Sequence, residues 1–207
     1  MLRERILRYD FAPGTCLNLN EIESSLKVSR TPLKDALKRL EAEGLVEIRS
    51  RSGTFVTAIS AEKLNEAYKI RTAFELYVAL CLFKYLTPAD MLFTRQLRNQ
   101  MDELDRNATS DWQETMRKYL TYDQQLHERF VARGGTPRML ELFQQANVHQ
   151  QVARIVSYFD RDDFKAIHLE HDQLFEALES RSPDLLNQTL FNHLENSRLR
   201  VLKKFHE

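Results

Sequence analysis

Four residues carry the chemistry that stands out in this chain: Asp123, His127, His171 and His193. Asp123 and His127 are four apart, so a helix puts both on one face, and Leu120, Phe130 and Val131 lie near them. His171 falls between Ile167 and Leu174, and His193 between Leu190 and Leu194, each at or beside an apolar stripe of helical spacing. One carboxylate and three imidazoles suit a borderline divalent metal, Zn²⁺ first, with Ni²⁺ or Mn²⁺ as alternatives, and leave coordination positions for a further ligand. Any one such histidine is more often a hydrogen-bonded core residue than a metal ligand. Four candidates on three helices shift that balance, although spacing alone does not bring them to one point.

Other polar residues in the same half of the chain are less specific. Arg71 has the fork geometry that holds a carboxylate ligand through two hydrogen bonds. Its alternative is an ion pair with Glu75 at i, i+4, worth a few tenths of a kcal/mol on a helix surface. His168, three residues before His171, either supports the site from outside or lies on the surface. His149 with Arg154 is a weaker pocket-lining candidate, and His206 belongs to the tail. Cys16 and Cys81 have no CxxC partner and read as structural thiols in a reducing compartment.

A second chemistry sits near the N-terminus. The net charge is zero, but between Lys27 and Arg39 five basic residues (Lys27, Arg30, Lys34, Lys38, Arg39) stand against the single acid Asp35. Leu33, Ala36, Leu37 and Leu40 give the inward stripe of a helix with Pro32 in its first turn and Gly44 as its stop. That leaves Ser29, Arg30, Thr31 and Lys34 outward at its N-terminal end, groups that bond phosphate oxygens and base edges. The plain alternative is a solvated helix face. Before it, Leu2–Tyr9 and a short helix with Asn20 as N-cap, Glu23 as its box partner and Leu19, Ile22 and Leu26 as its stripe complete a helix-turn-helix. After it, LVEI, the polar RSRSG and TFVT read as a β-hairpin wing with Arg49 and Arg51 near its tip.

From Glu62 onward the pattern is helical. Thr87-Pro88 with Asp90, Thr109-Ser110 with Asp111, Thr136-Pro137, and Ser182-Pro183 with Asp184 each open a helix, and Gly134-Gly135 closes one. Helices are expected near 61–86, 88–107, 110–133, 137–159, 163–180 and 183–206. The fold class is thus mainly α: a winged helix-turn-helix over 1–57, a hinge at 58–61, and an all-α antiparallel bundle over 62–207.

The residues so far resemble a known family. APGTCLNLNEIESSLKVSRTPLKDALKRLEAEGLVEIRSRSGTFV looks like the DNA-binding domain of the GntR family of bacterial regulators, over nearly all of residues 1–57. The likeness rests on Pro13-Gly14, the run VSRTP at Val28–Pro32, Ala36-Leu37, Arg39-Leu40, Glu43-Gly44-Leu45, and Gly53 before Phe55-Val56. It implies that Arg30, Thr31 and Lys34 touch operator DNA and that Gly53 shapes the wing. Lys34 stands where the family usually has Arg, which replaces a bidentate contact by a point charge. Asn20 stands where some members carry a DNA-contacting Arg. Residues 63–200 resemble the FCD effector domain of the FadR branch. In that family a D-x-x-x-H and two later histidines bind a metal, matched by Asp123, His127, His171 and His193, and RxxxE is matched by Arg71 and Glu75. The resemblance further implies a small organic acid as effector.

The expectation is therefore a metabolite-responsive transcription regulator in the cytoplasm, a homodimer on a palindromic operator, because one short helix makes too few base contacts for specificity. The longest apolar run, Leu76 to Phe83, is far too short to span a bilayer. The rivals are a metal-dependent enzyme, for which no glutamate has an evident place as general base, and a ligand-independent DNA-binding protein, which leaves the histidines unexplained.

Overall fold

The computed structural model describes residues 1–7, 10–58, 60–107, 112–156 and 160–206, with side chains described except at 113, 148–156, 205 and 206. Three helices come first, α1 (Leu2–Leu7), α2 (Leu19–Leu26) and α3 (Arg30–Ala42). A two-stranded antiparallel sheet follows, β1 (Val46–Arg49) and β2 (Gly53–Val56), paired in the register Val46↔Val56 to Arg49↔Gly53. Then come α4 (Ala61–Ala79), a single 3₁₀ turn (Leu82–Lys84), α5 (Pro88–Arg106), α6 (Trp112–Gly134), α7 (Pro137–Val156), α8 (Arg161–Ser180) and α9 (Pro183–His206).

Two hydrophobic clusters share no residue. Leu2, Ile6, Leu17, Ile22, Leu33, Leu37, Leu40, Leu45, Val46 and Val56 form the one beneath the helix-turn-helix and wing. The other, including Leu64, Tyr68, Tyr119, Phe130, Phe143, Phe164 and Leu190, fills the bundle. There α4 packs on α7 and α9, α6 on α7, and α8 on α9 and α5. Among the described residues no helix is long and apolar enough to cross a membrane.

Local chemistry explains most boundaries. Thr87 and Asp90 close the capping box at α5, each side chain bonding the other's backbone, and Ser60 caps α4 by accepting from Lys63 N at 3.2 Å. α8 starts two residues before the expected position because Asp160 and Asp163 make a second box. At α2 the expected cap is corrected. Asn18, not Asn20, has the extended backbone, and its Oδ1 accepts from Asn20 N and Glu21 N at 3.2 and 3.4 Å. Leu17, buried in the head's cluster, fixes where the chain enters the helix and so favours the earlier of two asparagines. Glu23 forms no box and pairs with Arg30 instead. The expected α6 start at Thr109-Ser110 and Asp111 lies outside the described residues, as do 8–9 of the first helix and 157–159 of the fourth bundle helix.

The expected 61–86 helix is interrupted at Ala79. Gly134, at the end of α6, sits so close to α4 that a Cβ there would lie 2.8 Å from Val78 Cβ and 2.9 Å from Val78 O. The chain leaves the α4 axis, Cys81 N bonds Val78 O at 3.1 Å, and Leu82 turns fully into the core. This contact has a testable sign. Helix propensity alone favours alanine over glycine by about 1 kcal/mol. Overpacking costs about 1–3 kcal/mol and should win, so Gly134→Ala is expected to lower the midpoint of chemical unfolding, whereas a raised midpoint would show that the two helices separate freely.

Candidate metal centre

Asp123 and His127, one turn apart on α6, meet His171 of α8 and His193 of α9. All four are buried to within 1% of complete, and each offers a donor atom within 4.8 Å of the others. Asp123 Oδ1 lies 2.9 Å from His171 Nε2, 3.5 Å from His127 Nε2 and 3.6 Å from His193 Nε2. The rings support one another: His127 stacks on His193 with centroids 5.2 Å apart, and His171 meets His193 edge-on at 4.5 Å.

The outer nitrogens determine what the inner ones can do. His171 Nδ1 donates to Ile167 O at 2.8 Å, His193 Nδ1 donates to Glu170 Oε2 at 3.1 Å, and His127 Nδ1 donates to Glu75 Oε2. Each outer partner is a carbonyl or carboxylate oxygen, an acceptor only, so Nδ1 is placed to carry the proton, and Nε2 of each neutral ring is the atom that would ligate an ion at the centre. Burial pushes the His171 imidazole down to about 4, with His193 adding to the shift, against the pull of Asp123. It is neutral at pH 7, the form that ligates. His127 Nε2 and His193 Nε2 are buried and make no hydrogen bond. Buried nitrogens without donors are costly, and a divalent cation is a group that would satisfy both. The residues present fit such an ion.

Two carboxylates around the histidines are the part that sequence reasoning missed. Burial alone raises the Glu75 carboxyl, but His127 and Arg71 outweigh it and hold it at about 2. Glu170, likewise raised by burial, is brought to about 2 by Arg200 and His193. Arg200 grips it with Nη1 at 2.7 Å and Nη2 at 2.6 Å, and Asn196 Nδ2 adds a bond at 3.0 Å. Glu75 was legible only as the partner of Arg71, and Glu170 carried no signal, because Arg200 is thirty residues away. Carboxylates that orient metal-bound imidazoles typically tune affinity 10–100-fold. Glu170→Gln is therefore expected to weaken Zn²⁺ binding by about that factor, read by competition with a chromophoric chelator; an unchanged Kd would mean that His193 is held by its ring contacts alone.

Arg71 is 1% exposed and donates from Nε to Glu75 Oε1 at 2.5 Å, so the ion pair exists but is buried rather than on a surface. Its Nη2 lies 3.9 Å from Asp123 Oδ2, which puts the guanidinium at the edge of the centre. His168 lies outside the cluster, against Tyr119 and α5. The side chains of His149, Arg154 and His206 lie outside the described residues.

In the N-terminal head Ser29, Arg30, Thr31, Lys34, Arg49, Arg51 and Gly53 are all exposed. Ser29 occupies the N-cap position of α3 without a side-chain cap bond. Arg30 Nη1 donates to Asn20 Oδ1 at 3.1 Å and Glu23 Oε1 at 3.2 Å, so α2 holds the foremost basic residue of α3. Arg49 pairs with Glu47 at 2.9 Å and lies over the Phe55 ring at 4.4 Å. Gly53 has φ +119°, and a Cβ there would stand 3.1 Å from Cys16 Sγ, so the wing's return strand needs glycine at this position.

Both parts of the chain are similar to known proteins. The family model described as "Bacterial regulatory proteins, gntR family" matches residues 1–56, and the FCD domain model matches residues 66–196. The uncharacterized HTH-type transcriptional regulator YdhC of Bacillus subtilis is 25% identical over 195 residues, 94% of this chain and 85% of its own length. The crystal structure of a GntR regulator from Rhodococcus sp. RHA1 superposes with a TM-score of 0.81 at 24% identity, covering 98% of this chain and 94% of that one. McbR/YncC of E. coli gives 0.81 at 18% identity over 100% and 95% of the two chains. The two structures establish the fold, a winged helix followed by a helical domain. The family models, the second spanning more than half of the sequence, establish the lineage: this chain belongs to the GntR family of transcriptional regulators and carries an FCD domain.

Proposed function

We propose that this regulator binds a near-palindromic operator as a homodimer, reading DNA with α3 and the wing, and that a small organic acid bound at the metal centre changes its operator affinity. The observation that carries the metal half is the pair of buried Nε2 atoms on His127 and His193 without a hydrogen bond, facing Asp123. Asp123, His127, His171 and His193 would hold the ion, Zn²⁺ by preference, with Ni²⁺ and Mn²⁺ also suited to three nitrogens and one oxygen. When bound, the ion supplies a Lewis-acidic position for a carboxylate. Arg71, at the edge of the centre, is the residue we assign to the effector's carboxylate, with Glu75 orienting it. Glu75 and Glu170 are engaged in holding imidazoles, which agrees with a binding rather than a hydrolytic site.

The separate hydrophobic clusters support a head over 1–57, a hinge at 58–61 and a sensor over 62–207. Ser29, Arg30, Thr31 and Lys34 are assigned to the major groove, and Arg49, Arg51 and Gly53 to the wing's contact with backbone or minor groove. A reader of this kind in a bacterial regulator works in the cytoplasm. Fluorescence anisotropy on the operator, with metal-loaded protein and a panel of small organic acids, tests the whole reading: at least one acid should shift the Kd only when metal is present. Arg30→Ala is expected to cost about 1–3 kcal/mol of specific binding, and Lys34→Ala to lower affinity for all sequences and reduce the salt slope by about one. Unchanged operator binding in both variants would remove α3 from the interface.

A further inference from the structure

We propose that Asp102, His168 and Asp172 form a second divalent-cation site, separate from the buried one and of lower affinity, that ties α5 to α8. Asp102 belongs to α5, while His168 and Asp172 are four apart on α8 and so share one face. One donor atom from each lies within 4.8 Å of the other two. His168 Nε2 is 3.5 Å from Asp102 Oδ1 and 4.0 Å from Asp172 Oδ2. Both separations are too long for a good hydrogen bond. Two ligands bound about 2.1 Å from one ion stand roughly 3–3.5 Å apart, so a small movement of Asp172 completes the set.

The imidazole is built into place. His168 Nδ1 lies 3.1 Å from the hydroxyl of the fully buried Tyr119, and its ring stacks on Phe164 at an interplanar angle of 4°. A tyrosine hydroxyl can accept from Nδ1–H, which turns the Nε2 lone pair toward the two carboxylates. Asp172 divides its oxygens. Oδ1 takes Arg98 Nη2 at 3.1 Å, and Oδ2 is the one that faces His168. Two carboxylates against one guanidinium leave the cluster a net anion. His168 is 15% exposed, Asp102 35% and Asp172 31%, so water reaches the site and can fill the remaining coordination positions. One imidazole with two carboxylates suits Zn²⁺ or Mn²⁺. Partial exposure and the competing Arg98 make it weaker than a buried centre of three imidazoles. The Tyr119 ring also meets His171 edge-on at 5.4 Å, so one side chain would touch both sites.

This proposal does not depend on the buried site, and one experiment separates the two. Zn²⁺ is titrated calorimetrically into the metal-stripped full chain in a non-coordinating buffer, with wild type, Asp102→Asn, His168→Gln and His193→Ala compared. Wild type should show two classes of site. Asp102→Asn and His168→Gln should each weaken the looser class at least tenfold and leave the tighter one unchanged, while His193→Ala should remove the tighter class and keep the looser. Asp102 is a third exposed, so its replacement by Asn leaves the packing intact and the readout interpretable. A single class of site in wild type that His193→Ala removes, or a looser class unaltered in both Asp102→Asn and His168→Gln, overturns the second site. Absence of the tighter class from wild type is the separate failure of the buried centre.

Discussion

Asp123→Ala is expected to abolish tight metal binding and, with it, the rise in melting temperature expected of wild type on addition of Zn²⁺. Asp123 Oδ1 is the atom that all three inner nitrogens face, so no rearrangement of one histidine replaces it. The unfolded chain has no preformed site, so the ion stabilises the native state by RT ln(1 + [L]/Kd), about 2.7 kcal/mol at a hundred times Kd and about 4.1 at a thousand times. For a chain of this length that is a shift of roughly 5–16 °C. Removing the carboxylate also disturbs Arg71, 3.9 Å away, and lowers the stability of the metal-free state for an electrostatic reason. The decisive quantity is therefore the Zn²⁺-induced shift within each variant, not the absolute melting temperature. His193→Ala, which leaves Asp123 and Arg71 in place, should lose the shift as well. Operator binding without effector should persist in both, because the head packs around its own cluster. A full Zn²⁺ shift in Asp123→Ala would assign the metal elsewhere.

The largest effect outside the centre belongs to Asp90. It is 1% exposed, and its Oδ2 accepts from Thr87 N at 2.9 Å and Thr87 Oγ1 at 2.6 Å. Its Oδ1 accepts from Arg133 Nε at 2.7 Å and Arg129 Nη1 at 3.2 Å. Burial raises this carboxyl, but the Thr87 hydrogen bonds and Arg133 outweigh burial and hold it below the ordinary aspartate value. Breaking a buried pair costs about 3–5 kcal/mol, and losing a helix cap about 1. Arg129 and Arg133 are each about a third exposed and rehydrate when released, which lowers the total. Asp90→Ala should therefore cost about 2–4 kcal/mol in chemical unfolding, and Asp90→Asn less. The sign with pH follows from a depressed folded value: the contribution is fully present above about pH 5 and disappears as the pH falls through about 3.9 toward the folded value. The gap between wild type and Asp90→Ala should close over that range. A gap that stays constant would mean that the side chain acts through packing and not through its charge.

Much of this was legible in the sequence where the cause is local. Thr87-Pro88 with Asp90 announced a helix start because the capping partners lie within four residues, and the hairpin was readable from the change of period after Gly44. Choices set by packing were not. Asn18 and Asn20 are equal as caps until Leu17 is known to be buried, and nothing in the run Tyr77–Leu86 shows that Gly134 presses on Val78. At the centre, residue type gave the donor set and helical spacing gave one face of α6. The meeting of α6, α8 and α9 needed the fold. So did Glu170, which depends on Arg200 and Asn196 from another helix.

Metal content and metal-dependent stability of the wild-type chain test the central claim most directly. Protein purified without chelators should contain about one tightly held divalent ion per chain by elemental analysis. Its melting temperature should fall when that ion is stripped and recover on addition of Zn²⁺, Ni²⁺ or Mn²⁺. Protein that contains no metal, and whose melting temperature does not move with any of the three ions, would contradict the claim and make Asp123, His127, His171 and His193 a hydrogen-bonded core cluster.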